Sequence, residues 1–133
     1  MGYRIRVVPE VEGWLSELSQ DDPGAADLVD DALDALREGG AGLGPPLVVP
    51  VDETGSPELS ELRPGAPGPA GIRILFTVEP PDTAVLLAAG TERDWLRAWY
   101  AEAILHCRAR YERDQTGTSR GPRTLRPARL AFP

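Results

Sequence analysis

The feature that most constrains this chain is a pair of apolar runs joined by a four-residue turn. From Gly71 to Val78, the residues Ile72, Ile74, Phe76 and Val78 alternate with Arg73, Leu75 and Thr77. A period of two marks a strand with two distinct faces. Thr83 to Ala89 follows and is nearly all apolar, as suits a strand in the centre of a sheet. Glu79-Pro80-Pro81-Asp82 lies between them and reads as the connecting turn. A sheet therefore organises the fold.

The N-terminal third supplies helices for that sheet. Tyr3 to Val8 reads as a first strand with Tyr3, Ile5 and Val7 on one face. Val11, Trp14, Leu15 and Leu18 then recur at i, i+3, i+4 and i+7, one apolar helical stripe. A second helix has clear borders. Asp22 is its expected N-cap and Pro23 its first helical residue. Val29, Leu33 and Leu36 form its buried stripe, and Asp27, Asp30, Asp31 and Asp34 lie mostly off it. Arg37 falls in the last turn, and Gly39-Gly40 ends the helix. The short acidic turn between the two helices predicts an antiparallel hairpin.

The remaining elements complete the order. Leu47 to Val51 reads as an edge strand, because prolines stand at 45, 46 and 50. Glu58 to Arg63 is another strand, and Pro64 to Gly71 a Pro/Gly-rich turn. Thr91 and Asp94 form a capping box for a helix from about Asp94 to Arg113, with Leu96, Trp99, Tyr100, Ala103 and Cys107 as its stripe. The order is β-α-α-β-β-β-β-α, with no internal repeat. It predicts an α+β fold: two N-terminal helices and a C-terminal helix packed on a mostly antiparallel four- to five-stranded sheet.

Composition limits the function classes. A length of 133 residues suits one domain, and an apolar fraction of 41% is enough for a modest core. The longest apolar stretch, Ala84 to Ala89, falls far short of the roughly 20 residues that span a bilayer. Met1 to Arg6 lacks the apolar block of a signal peptide, and the single cysteine, Cys107, fits a reducing compartment. The expected location is the cytoplasm, with no membrane partner.

The net charge of −7 is unevenly placed, and every basic residue is arginine. Residues 1–114 hold all 21 acids and 10 arginines, a net −11, and read as the folded domain. Residues 115–133 carry Arg120, Arg123, Arg126 and Arg129 and no acid, and read as a disordered basic tail. An acidic domain does not hold nucleic acid by bulk electrostatics. If RNA is bound, a local arginine cluster binds it.

Several short sequences in this order resemble the RelE/ParE toxin superfamily, and most closely its HigB-like branch of type II toxin–antitoxin systems. They are Glu61-Leu62-Arg63 at a strand end and Ile72-Arg73-Ile74-Leu75-Phe76 in the next strand. Gly90 then closes the following strand, and Tyr100-Ala101-Glu102-Ala103 lies in the last helix. The likeness spans roughly residues 3–112. It implies a toxin that cuts messenger RNA on the ribosome and is restrained by a cognate antitoxin. The alternatives on the same fold are a non-catalytic binding protein and a ParE-like gyrase inhibitor. No cofactor is implied.

Cleavage beside a 2′-hydroxyl needs a proton acceptor, a stabiliser of the phosphorane charge and a donor to the leaving oxygen. By resemblance, Arg73 matches the strand arginine that stabilises the transition state. It projects away from the face of Ile72, Ile74 and Phe76; the structural alternative is a pair with Glu61 or Glu79. Arg63 suits bidentate phosphate binding, or a salt bridge within the sheet. Tyr100 matches a tyrosine that stacks on a base or assists proton transfer, with core packing as the alternative. Arg93 falls where the family has adjacent basic residues, yet its surroundings, Thr91-Glu92-Arg93-Asp94, are half acidic. The lysines expected near Glu58–Arg63 are absent. His106, the one histidine, is a further acid or base candidate or a plain surface residue. Adjacent helix positions point about 100° apart, so His106 and Cys107 make a poor thiol–imidazole pair.

Overall fold

The computed structural model describes residues 2–51, 55, 57–65, 71–91 and 98–116. The elements are β1 (Arg4–Val7), α1 (Pro9–Asp21), α2 (Pro23–Gly39), a 3-10 turn (Gly40–Gly42), β2 (Val48–Pro50), β3 (Ser60–Leu62), β4 (Ile72–Glu79), β5 (Thr83–Thr91) and α3 (Ala98–Thr116). Among the described residues no helix is long and apolar enough to cross a membrane.

The sheet has five strands in the order β1-β5-β4-β3-β2. β2, β3, β4 and β5 pair antiparallel in sequence, as expected. β1 joins the free edge of β5 and runs parallel to it, Ile5 opposite Ala84 and Val7 opposite Leu86. The sheet is thus mixed, and β5 is central because both its edges are paired. Connectivity explains the parallel pair. The helical hairpin returns the chain to the far edge at β2, and three antiparallel steps then leave β5 aligned with β1.

Side chains divide between the two faces by parity and register. Ile5, Val7, Leu62, Ile74, Phe76 and Leu86 share one face and are buried. The α1–α2 hairpin packs there, with Val11, Leu15, Val29, Ala32, Leu33 and Leu36 in the same core. Arg6, Glu61, Arg73, Leu75 and Glu79 share the other face, and α3 lies across it. Between Leu75 and Phe76 the β4–β5 register slips, so that Leu87 is an extra residue on β5. Arg110 of α3 donates to the Leu87 carbonyl at 2.8 Å, which ties the helix to this bulge.

The hairpin forms as the sequence dictates. Asp22 is the single residue between α1 and α2. Its N–H bonds to Leu18 O at 2.8 Å, and its Oδ1 accepts from Ala25 N at 3.1 Å. It therefore stops one helix and caps the next. Asp22→Ala is expected to cost about 1 kcal/mol. Urea titration reads this as a lowered midpoint at unchanged slope; an unmoved midpoint contradicts it.

Some boundaries differ from expectation. β5 continues to Thr91 because Ile72 pairs with it, so Gly90 lies inside the strand. Thr116 is still helical, two residues past the expected domain boundary. Asp94, Leu96, the 66–70 segment and the tail from residue 117 lie outside the described residues.

Candidate active site

Glu61 on β3 stands opposite Leu75 on β4. Arg63 is two residues on along the chain, and Arg73 two residues back along β4, so all three point toward α3. Arg73 stands opposite Gly90 on β5. α3 brings Tyr100 over the same spot.

The four groups meet at one carboxylate. Arg73 Nη1 donates to Glu61 Oε2 at 2.7 Å, and Arg63 Nε approaches the same oxygen at 3.4 Å. The Tyr100 hydroxyl donates to Glu61 Oε1 at 2.5 Å. Glu61 is only 4% exposed, whereas the side chains of Arg73 and Arg63 are 27% and 36% exposed. A buried carboxylate is costly unless its oxygens are paired and bonded. Three donors meet that requirement and set the arginines at the rim. Arg63 meets Glu61 through Nε, and its side chain is the more exposed of the cluster's two arginines.

The phenol is a donor here. Burial, and then the Glu61 carboxylate that accepts its hydrogen bond, push Tyr100 up to about 12. At neutral pH it keeps its proton, and it does not act as a base on its own.

Three sequence candidates thus come together: Arg63, Arg73 and Tyr100. Arg73 pairs with Glu61 rather than with Glu79. Tyr100 both packs on the core and bonds Glu61. His106 stands apart: it is exposed, and six residues on from Tyr100 it lies about 240° round the helix. Cys107 points inward, fully buried, and burial pushes its thiol up to about 12. It is a core residue with little thiolate. Arg93 lies outside the described residues.

Residue order alone gives Glu61 no role of its own. A signal was present, since an acid beside Leu62 shares its strand face with Arg63 two residues later. What was missing was the register that brings Arg73 alongside.

The far end of α3 is clamped by a second set of charges. Arg6 Nη2 donates to Glu79 at 2.9 Å and to Asp114 at 2.7 Å. Tyr111 and Gln115 also donate to Glu79, and Arg113 grips Glu10 of α1 with bonds of 2.7 and 2.8 Å. Hydrogen bonds from Arg113 hold Glu10 down from 4.5 to about 2. For Glu79, burial works the other way, but bonds from Arg6 and Gln115 still lower it.

Both carboxylates titrate lower folded than unfolded, so their stabilisation is full above about pH 4.5 and is lost as pH falls below it, for Glu10 toward 2. The thermal midpoint is expected to drop across this window, less steeply in Glu10→Gln. Glu10 is half-exposed, which keeps the difference small. Identical slopes for the two proteins contradict the assignment.

A mixed five-stranded sheet with helices on both faces, and an arginine–tyrosine cluster under its last helix, defines a RelE-like α+β protein. Residues 14–112 match the model for phage-derived Gp49-like proteins (DUF891), and the chain belongs to that HigB-like family. It is 37% identical over 97 residues to HigB2 of Mycobacterium tuberculosis, named as a candidate toxin, covering 73% of this chain and 47% of that protein. It is 35% identical over 100 residues to HigB3 of the same organism, also named as a candidate toxin, covering 75% of this chain and 82% of that one. The chain thus spans about half the length of the first relative and most of the second.

Proposed function

We propose that this chain is the toxin of a toxin–antitoxin pair and cuts messenger RNA on the ribosome. The names of HigB2 and HigB3 support the first half. One observation carries the second: two arginines and a tyrosine, from three different elements, converge on a single buried carboxylate. On this reading Arg73 stabilises charge on a phosphorane, and the partly exposed Arg63 holds a flanking phosphate. Glu61 fixes both guanidinium planes before substrate arrives, so little reorganisation accompanies the reaction. The site is small, which suits RNA already positioned by the ribosome to an otherwise acidic chain. The cognate antitoxin would restrain it by covering the arginine rim.

Inducing the chain in a bacterial host and mapping message ends tests this reading. New 5′ ends within translated codons are expected, and intact messages in arrested cells contradict it. The second reading, a non-catalytic binding protein or gyrase inhibitor, draws on the carboxylate that neutralises part of the arginine cluster. Growth arrest with intact messages favours it.

A further inference from the structure

The helical hairpin does not cover its whole face of the sheet. Val78 follows Phe76 on that face by parity, yet it is 38% exposed, whereas Ile74 and Phe76 are buried. Two clefts of about 310 Å³ each meet there and share Pro50, Ser60 and Val78. One reaches Tyr3 and Leu43, beside the 3-10 turn after α2; the other reaches Thr77 and Glu58. β3 begins at Ser60, opposite Phe76. Among the described residues, no strand therefore pairs with the outer edge of residues 77–79. A largely apolar cleft beside an open strand edge suits an extended segment.

The chain itself carries such a segment. α3 ends at Thr116, and Gln115 donates to Glu79, the neighbour of Val78 in β4. Another 17 residues follow. Extended at about 3.1 Å per residue, they reach about 50 Å, more than twice the roughly 19 Å width of a five-stranded sheet. Pro122, Pro127 and Pro133 favour an extended chain. Arg129-Leu130-Ala131-Phe132 contains no proline, and a strand period puts Leu130 and Phe132 on one side of it. Charge agrees with this occupant. Residues 117–133 carry four arginines and no acid, whereas residues 1–114 are net −11. Glu58 lines one cleft, and among the described residues no basic side chain lines either.

We infer that residues 117–133 fold back from the end of α3 around the open edge of β4, and that Leu130 and Phe132 seat in the clefts at Val78. Two large apolar side chains then leave water, and the arginines stay outside over an acidic surface. Tethering supplies a roughly millimolar effective concentration, so a weak contact suffices. The segment acts as a strap that closes the uncovered end of the core. Val78 lies on the opposite face of β4 from the Glu61 cluster, so the inference stands independently of what the chain cuts.

The test uses the full chain with a nitroxide attached through Ala131→Cys. Cys107 is fully buried, so only the new thiol takes the label. The amide signals of Leu43, Val48 and Val78 are expected to be lost beside the radical and to return when it is reduced. Those of Leu105 and His106, exposed on α3 across the sheet, are expected to stay. The loss should persist in about 1 M salt, where charges are screened beyond about 3 Å. Adding Leu130→Asp and Phe132→Asp is expected to restore the signals. Without the label, this double substitution should speed hydrogen exchange of the Leu43 and Val48 amides, which bond the Gly40 and Gly44 carbonyls. A gain of about tenfold or more is expected, the worth of one buried leucine or phenylalanine.

Unchanged cleft amides beside the radical overturn the inference. So does a loss centred on Asp27 and Asp31 of α2 that salt abolishes, since that is attraction by charge alone. With the label on one chain and the isotope on another, signal loss between chains puts the segment on a second copy and overturns docking within one chain. Wild-type exchange at Leu43 and Val48 in the double variant overturns it as well.

Discussion

Phe76→Ala is expected to lower the unfolding free energy by about 3–5 kcal/mol. Phe76 is 2% exposed and sits in the middle of β4, opposite Ser60 on one side and Leu86 on the other. Its ring fills the space between the sheet and the helical hairpin, and its outer edge borders a cleft of about 310 Å³ lined also by Tyr3, Leu43 and Val78. Removing the ring joins new empty volume to that cleft, and the surrounding strands relax only in part. Small domains have only about 5–15 kcal/mol of stability in total, so this one change is a large fraction. The urea midpoint reports it, at unchanged slope. A loss below about 1 kcal/mol contradicts this account of the core. Phe76 and Arg73 share β4, so reduced activity should accompany the lost stability.

Arg73→Ala is expected to slow message cleavage by about 10²–10³-fold, the usual cost of one transition-state donor. The effect should fall on the rate of the bound complex more than on the concentration that half-saturates it, because the charge it meets develops only during reaction. Stability should fall as well, since Glu61 loses its shortest arginine bond. Arg73→Lys separates the two effects. A lysine restores charge beside Glu61 but lacks the planar fork, so stability should recover further than activity. Equal recovery of both would make Arg73 a structural residue.

Much of the fold was legible because its signals are local. Ile72, Ile74, Phe76 and Val78 alternate within eight residues, and Asp22-Pro23 and Gly39-Gly40 bracket α2 through cap chemistry alone. The prolines around Val48 and Val49 marked an edge strand, and β2 is one. The parallel pairing of β1 with β5 was not legible, because it depends on where the helical hairpin sends the chain and not on Arg4–Val7 themselves. The end of β5 was misplaced for a similar reason. Gly90 is a weak strand former, and it is held in the ladder by Arg73 opposite it, with Ile72 pairing Thr91 beyond.

The site divides along the same line. Arg63, Arg73 and Tyr100 could be singled out from order and residue type. Glu61 could not be given its role, because a buried acid is defined by partners 12 and 39 residues away. The acidic balance of the chain looked adverse to RNA chemistry. At the site the carboxylate instead fixes the geometry of the cations around it.

The central claim is tested most directly in a purified translation system. Full-length chain is added to a message with and without ribosomes engaged on it, and every 5′ end is mapped. Cuts inside translated codons, present only with engaged ribosomes and absent with Arg73→Ala, are the predicted result. Intact message in the presence of folded wild-type chain would contradict it, and would leave this fold as a binding module.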